Sequence, residues 1–122
     1  MLLVEDNDLN REIAVDMLQG LGFLVEEATD GSIAVNMVQK ATPDYYQIIL
    51  MDIQMPYMDG YYATHTIRML QDRAKAQIPI IAMTANVFDE DRQKALTAGM
   101  NAHLSKPINE KQIVDTLCQY IR

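Results

Sequence analysis

Residues 47–60 read QIILMDIQMPYMDG, and the fold turns on them. An unbroken apolar run from Ile48 to Met51 ends on a carboxylate, Asp52, and is followed by Pro56 and an Asp59-Gly60 turn. Consecutive apolar positions suit a strand covered on both faces, whereas a half-wet strand would alternate. The run therefore reads as the central strand of a sheet with helices on either side. A carboxylate at its tip carries a desolvation cost unless a counter-charge meets it, so other parts of the chain have to supply one.

Toward the N-terminus, LLVE (2–5) is a short apolar strand. Ile13, Ala14, Met17, Leu18 and Leu21 then recur at helical spacing and stop near Gly20 and Gly22. FLVEEA (23–28) reads as a strand, and DGSIAVNMVQKA as a helix with Ile33, Ala34, Met37, Val38 and Ala41 on one face. Toward the C-terminus, residues 61–72 form a weaker helix with the stripe Ala63, Ile67 and Leu70. IPIIAMT (78–84) is a β-branched strand, with Pro79 near its start where no ladder hydrogen bond need be lost. Residues 87–98 read as a helix closed by Gly99, and NAHLS (101–105) as a short strand. Asn109 with Gln112 resembles a capping box for a last helix, whose core stripe is Ile113, Leu117, Tyr120 and Ile121. Five strand–helix units in alternation predict a doubly wound α/β domain around a parallel sheet.

A chain of 122 residues fits one domain, 1–122. Its 49% apolar and 22% charged residues are those of an ordinary globular protein, which excludes disordered and collagen-like classes. A net charge of −7 argues against nucleic acid as a partner and makes a cation a fitting companion. The lone Cys118 has no partner for an internal disulfide and reads as core filling; one cysteine suits a reducing compartment. No apolar run approaches the roughly 18 residues of a membrane span, and MLLVEDND lacks the basic start of a signal peptide. The expectation is a cytoplasmic domain with no membrane contact of its own. The brevity of the first strand suggests excision from a longer chain, whose other parts would be anchored in the inner membrane.

In open α/β sheets ligands bind beyond the carboxyl ends of the strands. Those ends carry Glu5 and Asp6, Asp52, Thr84 and Lys106. If the first and third strands are neighbours, three carboxylates converge, and such a cluster calls for a cation. Carboxylates with retained waters are what Mg²⁺ prefers, with Mn²⁺ as a substitute, and the backbone carbonyl of Gln54 would complete the protein's share. Lys106 adds an ammonium and Thr84 a hydroxyl. Together these suit a phosphoryl group, with Asp52 as the nucleophile that forms an acyl phosphate. Each group alone has a plainer reading. Asp6 or Asp8 could cap the first helix, Thr84 or Asn86 the fourth, Asp52 could be a solvated strand end, and Lys106 any exposed lysine. The coincidence of complementary groups at four strand ends outweighs these readings.

With those residues in view, the chain resembles the receiver domain of two-component response regulators. LLVEDNDLNREIA, LMDIQMPYMDG, IIAMTAN and LSKPI match its motifs in order and spacing, and the resemblance covers essentially the whole chain. NREIA, MDIQMPYMDG and AGMNAHLSKPI look most like receivers attached to hybrid sensor histidine kinases. The resemblance implies a flavodoxin-like, five-stranded sheet of order 2-1-3-4-5 with five helices. It implies that Asp52 accepts a phosphoryl group from a phosphohistidine on a kinase or a histidine phosphotransfer domain, followed by onward transfer or autodephosphorylation. Asp6, Asp52 and the Gln54 carbonyl would bind Mg²⁺ directly, and Glu5 through water. Lys106 would contact the phosphoryl oxygens, and its bond to Pro107 would be cis. Thr84 would move toward the phosphoryl group, with Ala85 leaving room. Asn7, Leu9, Asn10, Ile13 and Pro107 would meet the partner, and the domain would be a monomer or weak dimer.

Two departures from the pattern stand out. Glu5 occupies a position where aspartate is also common, which an outer-sphere contact tolerates. His103 stands three residues before Lys106, where Tyr or Phe is usual and turns inward in the active state. A protonated imidazole resists burial, so the expected population shift is small, as a shuttle that passes phosphate onward tolerates. His65 reads as a surface residue of the third helix. Met51, Met55, Met58 and Met83 read as core packing, and Tyr57, Tyr61 and Tyr62 as half-buried rings or a docking contact.

Other functions fit less well. A stand-alone regulator acting through phosphorylation-dependent protein binding is the nearest alternative. Aspartate-nucleophile phosphatases of the haloacid-dehalogenase kind carry a second aspartate two residues on as general acid, and here that position is Gln54. A nucleotide or flavin domain would need a G-x-G-x-x-G loop after the first strand, and this loop is acidic instead. An unphosphorylated interaction module would ordinarily have lost Asp52 or Lys106.

Overall fold

The structure is a computed structural model that describes residues 1–53, 55, 58–84, 89–106 and 108–120, with the backbone alone for 89–91. Five parallel strands, β1 (Leu2–Val4), β2 (Glu26–Ala28), β3 (Ile49–Asp52), β4 (Ile80–Thr84) and β5 (Ala102–Ser105), form one sheet of order β2-β1-β3-β4-β5. This is the flavodoxin-like order expected. Between and after the strands run α1 (Asp8–Gly20), α2 (Gly31–Lys40), α3 (Gly60–Arg68), α4 (Arg73–Ala76), α5 (Asp89–Ala98) and α6 (Glu110–Leu117).

The two-sided burial expected of the central strand is realised residue by residue. Ile49 and Met51 face a core made with Ala34, Val35 and Val38 of α2, Ala63 and Ile67 of α3 and Ala95 of α5. Ile48 and Leu50 face the opposite core, with Ala14 and Leu18 of α1 and Ile113 and Leu117 of α6. The alternation follows from the strand's period of two.

Side-chain caps fix where the helices begin. Asn7, Asp30, Asp59 and Asn109 accept hydrogen bonds from the backbone N–H groups of Asn10, Ile33, Tyr62 and Gln112 at 2.8–2.9 Å. Asp59-Gly60 is thus the start of α3 rather than a free turn. Gly60 donates to the Ile53 carbonyl at 2.9 Å, and a Cβ there would overlap the Asp52 carbonyl oxygen. Gly60 is therefore held tightly against the strand tip.

Three expectations are corrected and one is extended. Among the described residues the five long helices expected are joined by one short extra turn, α4, which Asp72 starts by accepting from the N–H groups of Ala74 and Lys75 after α3 stops at Arg68. β2 is limited to Glu26–Ala28, paired with Leu2–Val4 of β1, and not the expected 23–28; before it, the Leu24 carbonyl accepts from the Met1 amino group at 3.0 Å. Cys118 is exposed at the C-cap of α6 and fills no core. Ile13 and Ile33, read as parts of buried stripes, are exposed. Ile121 lies outside the described residues, and Tyr120 is half-buried with its hydroxyl donating to the Asn101 carbonyl at 3.0 Å.

Arg68 was not singled out in the sequence, yet it ties four segments together. Its guanidinium donates to the carbonyls of Gly99 (2.9 Å), Ala76 and Ile78 (2.7 Å each) and to Asn101 Oδ1 (2.9 Å). Asn101 Oδ1 in turn accepts from the Ile80 N–H at 2.9 Å, so the start of β4 and the approach to β5 share one polar joint.

Candidate functional site

Strand register brings the acidic groups together. Val4 lies opposite Met51, so the next residues, Glu5 and Asp52, emerge side by side at the carboxyl edge of the sheet. Both are nearly inaccessible, at 2% and 3% exposure, while Asp6 is exposed on the outer side. Glu5, Asp6 and Asp52 each offer a carboxylate oxygen within 4.8 Å of the others, a grouping that could hold a metal ion.

Lys106 reaches the cluster from β5. Its backbone N–H donates to the Thr84 carbonyl at 2.8 Å, extending the β4–β5 pairing by one step. Its Nζ lies 3.0 Å from Glu5 Oε1 and 3.0 Å from Asp52 Oδ1. Thr84, at the end of β4, is half-buried on the same edge.

The electrostatics separate the two buried acids. Burial first, and then the neighbouring Glu5, push the Asp52 carboxyl up to about 7, with Lys106 pulling the other way. Burial also pushes Glu5 up, but its hydrogen bonds with Asp52 and Lys106 outweigh that, and its pKa falls below the usual value. Lys106 is raised: burial opposes its charge, and the bonds to Asp52 and Glu5 more than compensate. Glu5 thus holds its charge more firmly than Asp52. Glu5 Oε2 is buried without a hydrogen-bond partner among the described residues. A buried carboxylate oxygen left so costs free energy, and one ammonium does not balance three carboxylates. The donor set therefore fits a hard divalent cation with oxygen ligands.

The other expected residues fall into place unevenly. His103 sits on β5 opposite Ala82, half-buried, and burial together with the Arg92 cation holds its imidazole below the usual histidine value. Leu9 and Ile13 are exposed on α1. Asn10 and Ile13 line a cleft of about 300 Å³ with Ala14, Met83, Ile108, Glu5 and Lys106. The Asn7 side chain is engaged as the cap of α1. His65 is exposed on α3. Met51 and Met83 are buried, and Met55 and Met58 pack against the core. Tyr61 also packs there, whereas Tyr62 is exposed. Gln54, Tyr57, Ala85, Asn86 and Pro107, with the expected cis bond, lie outside the described residues.

One residue at this edge was missed. Arg11 of α1 donates from Nη1 to the Glu5 carbonyl at 3.0 Å, from Nε to Glu27 Oε1 at 3.2 Å and from Nη2 to Asp8 Oδ1 at 2.6 Å. Its i,i+3 spacing from Asp8 was readable; its bond to a strand-end carbonyl was not.

Residues 1–118 match the family described as response regulator receiver domain. The chain is 42% identical over 128 residues to probable histidine kinase 2 of Oryza sativa subsp. indica, with 96% of the chain and 12% of that protein covered. It is 38% identical over 120 residues to the sensor histidine kinase RcsC of Escherichia coli strain K12, covering 98% of the chain and 12% of the kinase. The chain thus spans only 12% of the length of these two relatives. A similar solved structure is the receiver domain of a sensor histidine kinase from Pseudomonas aeruginosa PAO1, with a magnesium ion coordinated in its active-site cleft. It has a TM-score of 0.88 and 40% identity, over 98% of this chain and 94% of that one. The receiver domain of the Saccharomyces cerevisiae response regulator Ssk1, co-crystallised with the histidine phosphotransfer protein Ypd1, gives 0.86 and 29%, over 98% and 86%. Strand order, the acidic edge with its lysine and these likenesses agree, and the chain belongs to the response regulator receiver domains of two-component signalling.

Proposed function

We propose that this domain is the Mg²⁺-dependent phosphoacceptor of a phosphorelay, taking a phosphoryl group from a phosphohistidine onto Asp52. The observation that carries the reading is the shared lysine: Lys106 Nζ stands 3.0 Å from both buried acids, at the mouth of a three-carboxylate cluster. Asp6, Asp52 and the Gln54 carbonyl would hold the cation directly and Glu5 through water. Bound there, the ion supplies positive charge that favours ionised Asp52 and offsets charge on the phosphoryl oxygens.

In the transfer, an Asp52 carboxylate oxygen bonds to phosphorus as the phosphorus–nitrogen bond of the donor breaks, its electron pair leaving with the imidazole. Lys106 exchanges Asp52 for a phosphoryl oxygen, keeping a cation against the new charge. Thr84 offers its hydroxyl from the end of β4, and Ala85, the next residue in sequence, would leave room for it to move. His103, whose imidazole burial and Arg92 hold below the usual histidine value, stands where the family's aromatic switch would be. The exposed Leu9 and Ile13 with the adjoining cleft suit an apolar helical partner, either a kinase or a histidine phosphotransfer domain.

The kinase relatives, one of them a hybrid signal transduction histidine kinase, support a parent chain of that type; the reading places this domain, residues 1–122, on its cytoplasmic side. Incubation with a small acyl-phosphate donor and Mg²⁺ is expected to label the chain at one phosphoryl per molecule, and Asp52→Asn to abolish the label. Continuous turnover of phosphomonoesters would instead favour the phosphatase alternative.

A further inference from the structure

We infer that Arg11 is a positioning residue for the cation cluster: by bonding the Glu5 carbonyl it locks the turn from which the Glu5 and Asp6 carboxylates project. This rests on the cation reading above and deepens it. The peptide unit between Glu5 and Asp6 carries that carbonyl. The N–H of Glu5 is already held, donating to the Ala28 carbonyl at 3.1 Å. With Arg11 Nη1 on the carbonyl at 3.0 Å, both backbone polar groups of Glu5 are fixed, one by β2 and one by α1. The direction in which the chain leaves β1, and with it the starting orientation of Asp6, is then set by a bond outside the carboxylate cluster.

The guanidinium is suited to this because its other donors anchor it. Nε meets Glu27 of β2 and Nη2 meets Asp8 of α1. These ion pairs contribute little on their own, since the Asp8 and Glu27 side chains are 91% and 49% exposed. Their effect is to hold a side chain that is itself only 15% exposed in the plane needed to reach the carbonyl. Residues that orient ligands from outside commonly shift metal affinity by about 10- to 100-fold when removed.

Charge alone predicts the opposite sign. Arg11 is a cation near a cation site, and deleting it also leaves Asp8 and Glu27 unneutralised, so pure electrostatics makes Mg²⁺ bind more tightly. Positioning makes it bind more weakly. A role confined to fold stability changes the unfolding midpoint and leaves affinity alone.

The test is calorimetric titration of Mg²⁺ into the unsubstituted 122-residue chain, R11A and R11K at one pH and ionic strength, beside urea unfolding of each in EDTA. The expected result is a dissociation constant raised about tenfold in R11A. R11K is expected to be raised as well, because an ammonium keeps the charge but cannot span three partners. Equal or tighter Mg²⁺ binding by R11A overturns the inference, as does a loss of stability with affinity unchanged. If R11A does not fold, R11K carries the same comparison, and parent-like affinity there overturns it. Failure of the unsubstituted chain itself to bind Mg²⁺ overturns the cation reading and this one with it.

Discussion

Replacing Asp52 by asparagine should make the metal-free domain more stable at alkaline pH, although it removes the residue on which function depends. Burial and Glu5 raise the Asp52 carboxyl from 3.8 to about 7 in the folded chain. A raised carboxyl contributes stability through its bound proton. That contribution is whole below pH 3.8, where both states are protonated, and is lost as pH rises through about 7. Three units at about 1.4 kcal/mol each set a ceiling of about 4 kcal/mol for the cost of an ionised Asp52 above pH 7. Asparagine is neutral at every pH and escapes that cost, but it gives up the ion pair with Lys106. The amide oxygen still accepts from the ammonium, and Lys106 keeps its bond to Glu5. The net expectation at pH 8 in EDTA is therefore about 1–3 kcal/mol in favour of D52N, shrinking toward zero near pH 5. Urea unfolding followed by far-ultraviolet circular dichroism at pH 5, 6.5 and 8 measures this directly. Mg²⁺ should reverse the order at pH 8, because it binds only the folded parent with useful affinity. Equal stabilities at pH 8, or an advantage of D52N that grows on acidification, would refute the account of Asp52 as a strained acid.

Two further substitutions separate roles. Lys106→Ala should leave Mg²⁺ affinity unchanged or slightly tighter by calorimetry, since Lys106 is a competing cation and not a ligand, while phosphorylation by an acyl-phosphate donor slows about a hundredfold. Arg68→Ala removes donors to three carbonyls and Asn101 and should lower the unfolding free energy by about 2–4 kcal/mol; Arg68→Lys should recover less than half of that in urea melts, because one ammonium cannot reach all four acceptors.

The parts of this molecule that could be read from its residues are those dictated by topology. Once QIILMD is a strand buried on both faces, the sheet must be covered by helices on either side; that the first and third strands are neighbours came from the resemblance, and the observed sheet order has them paired. Glu5 and Asp52 then have nowhere to end but side by side, whatever their rotamers. Lys106 joins them for the same reason, since β5 ends on the same edge. The helix starts were legible to the extent that Asn109 and its relatives carry short polar side chains before an apolar stripe.

The missed residues share a different property: each has backbone carbonyls among its partners. Arg11 bonds the Glu5 carbonyl, and Arg68 bonds carbonyls at three points of loop and helix end. Nothing in the residue types at 5, 76, 78 or 99 marks them as acceptors, because every residue has a carbonyl and only the path of the chain decides which are left over from secondary structure. β2 and Cys118 failed for kindred reasons. Phe23–Val25 has strand composition but is not part of the ladder that Glu26–Ala28 forms with β1, and Cys118 has an apolar side chain but falls just where α6 stops. Side-chain chemistry thus predicts which groups meet when regular elements carry them, and is silent where a cation satisfies leftover backbone. In this fold those two arginines stand at the joints between elements, Arg11 beside the acidic edge and Arg68 across α3, α4, β4 and β5. A substitution at either is accordingly expected to act through geometry, on how carboxylates and strands are held, before it acts through charge.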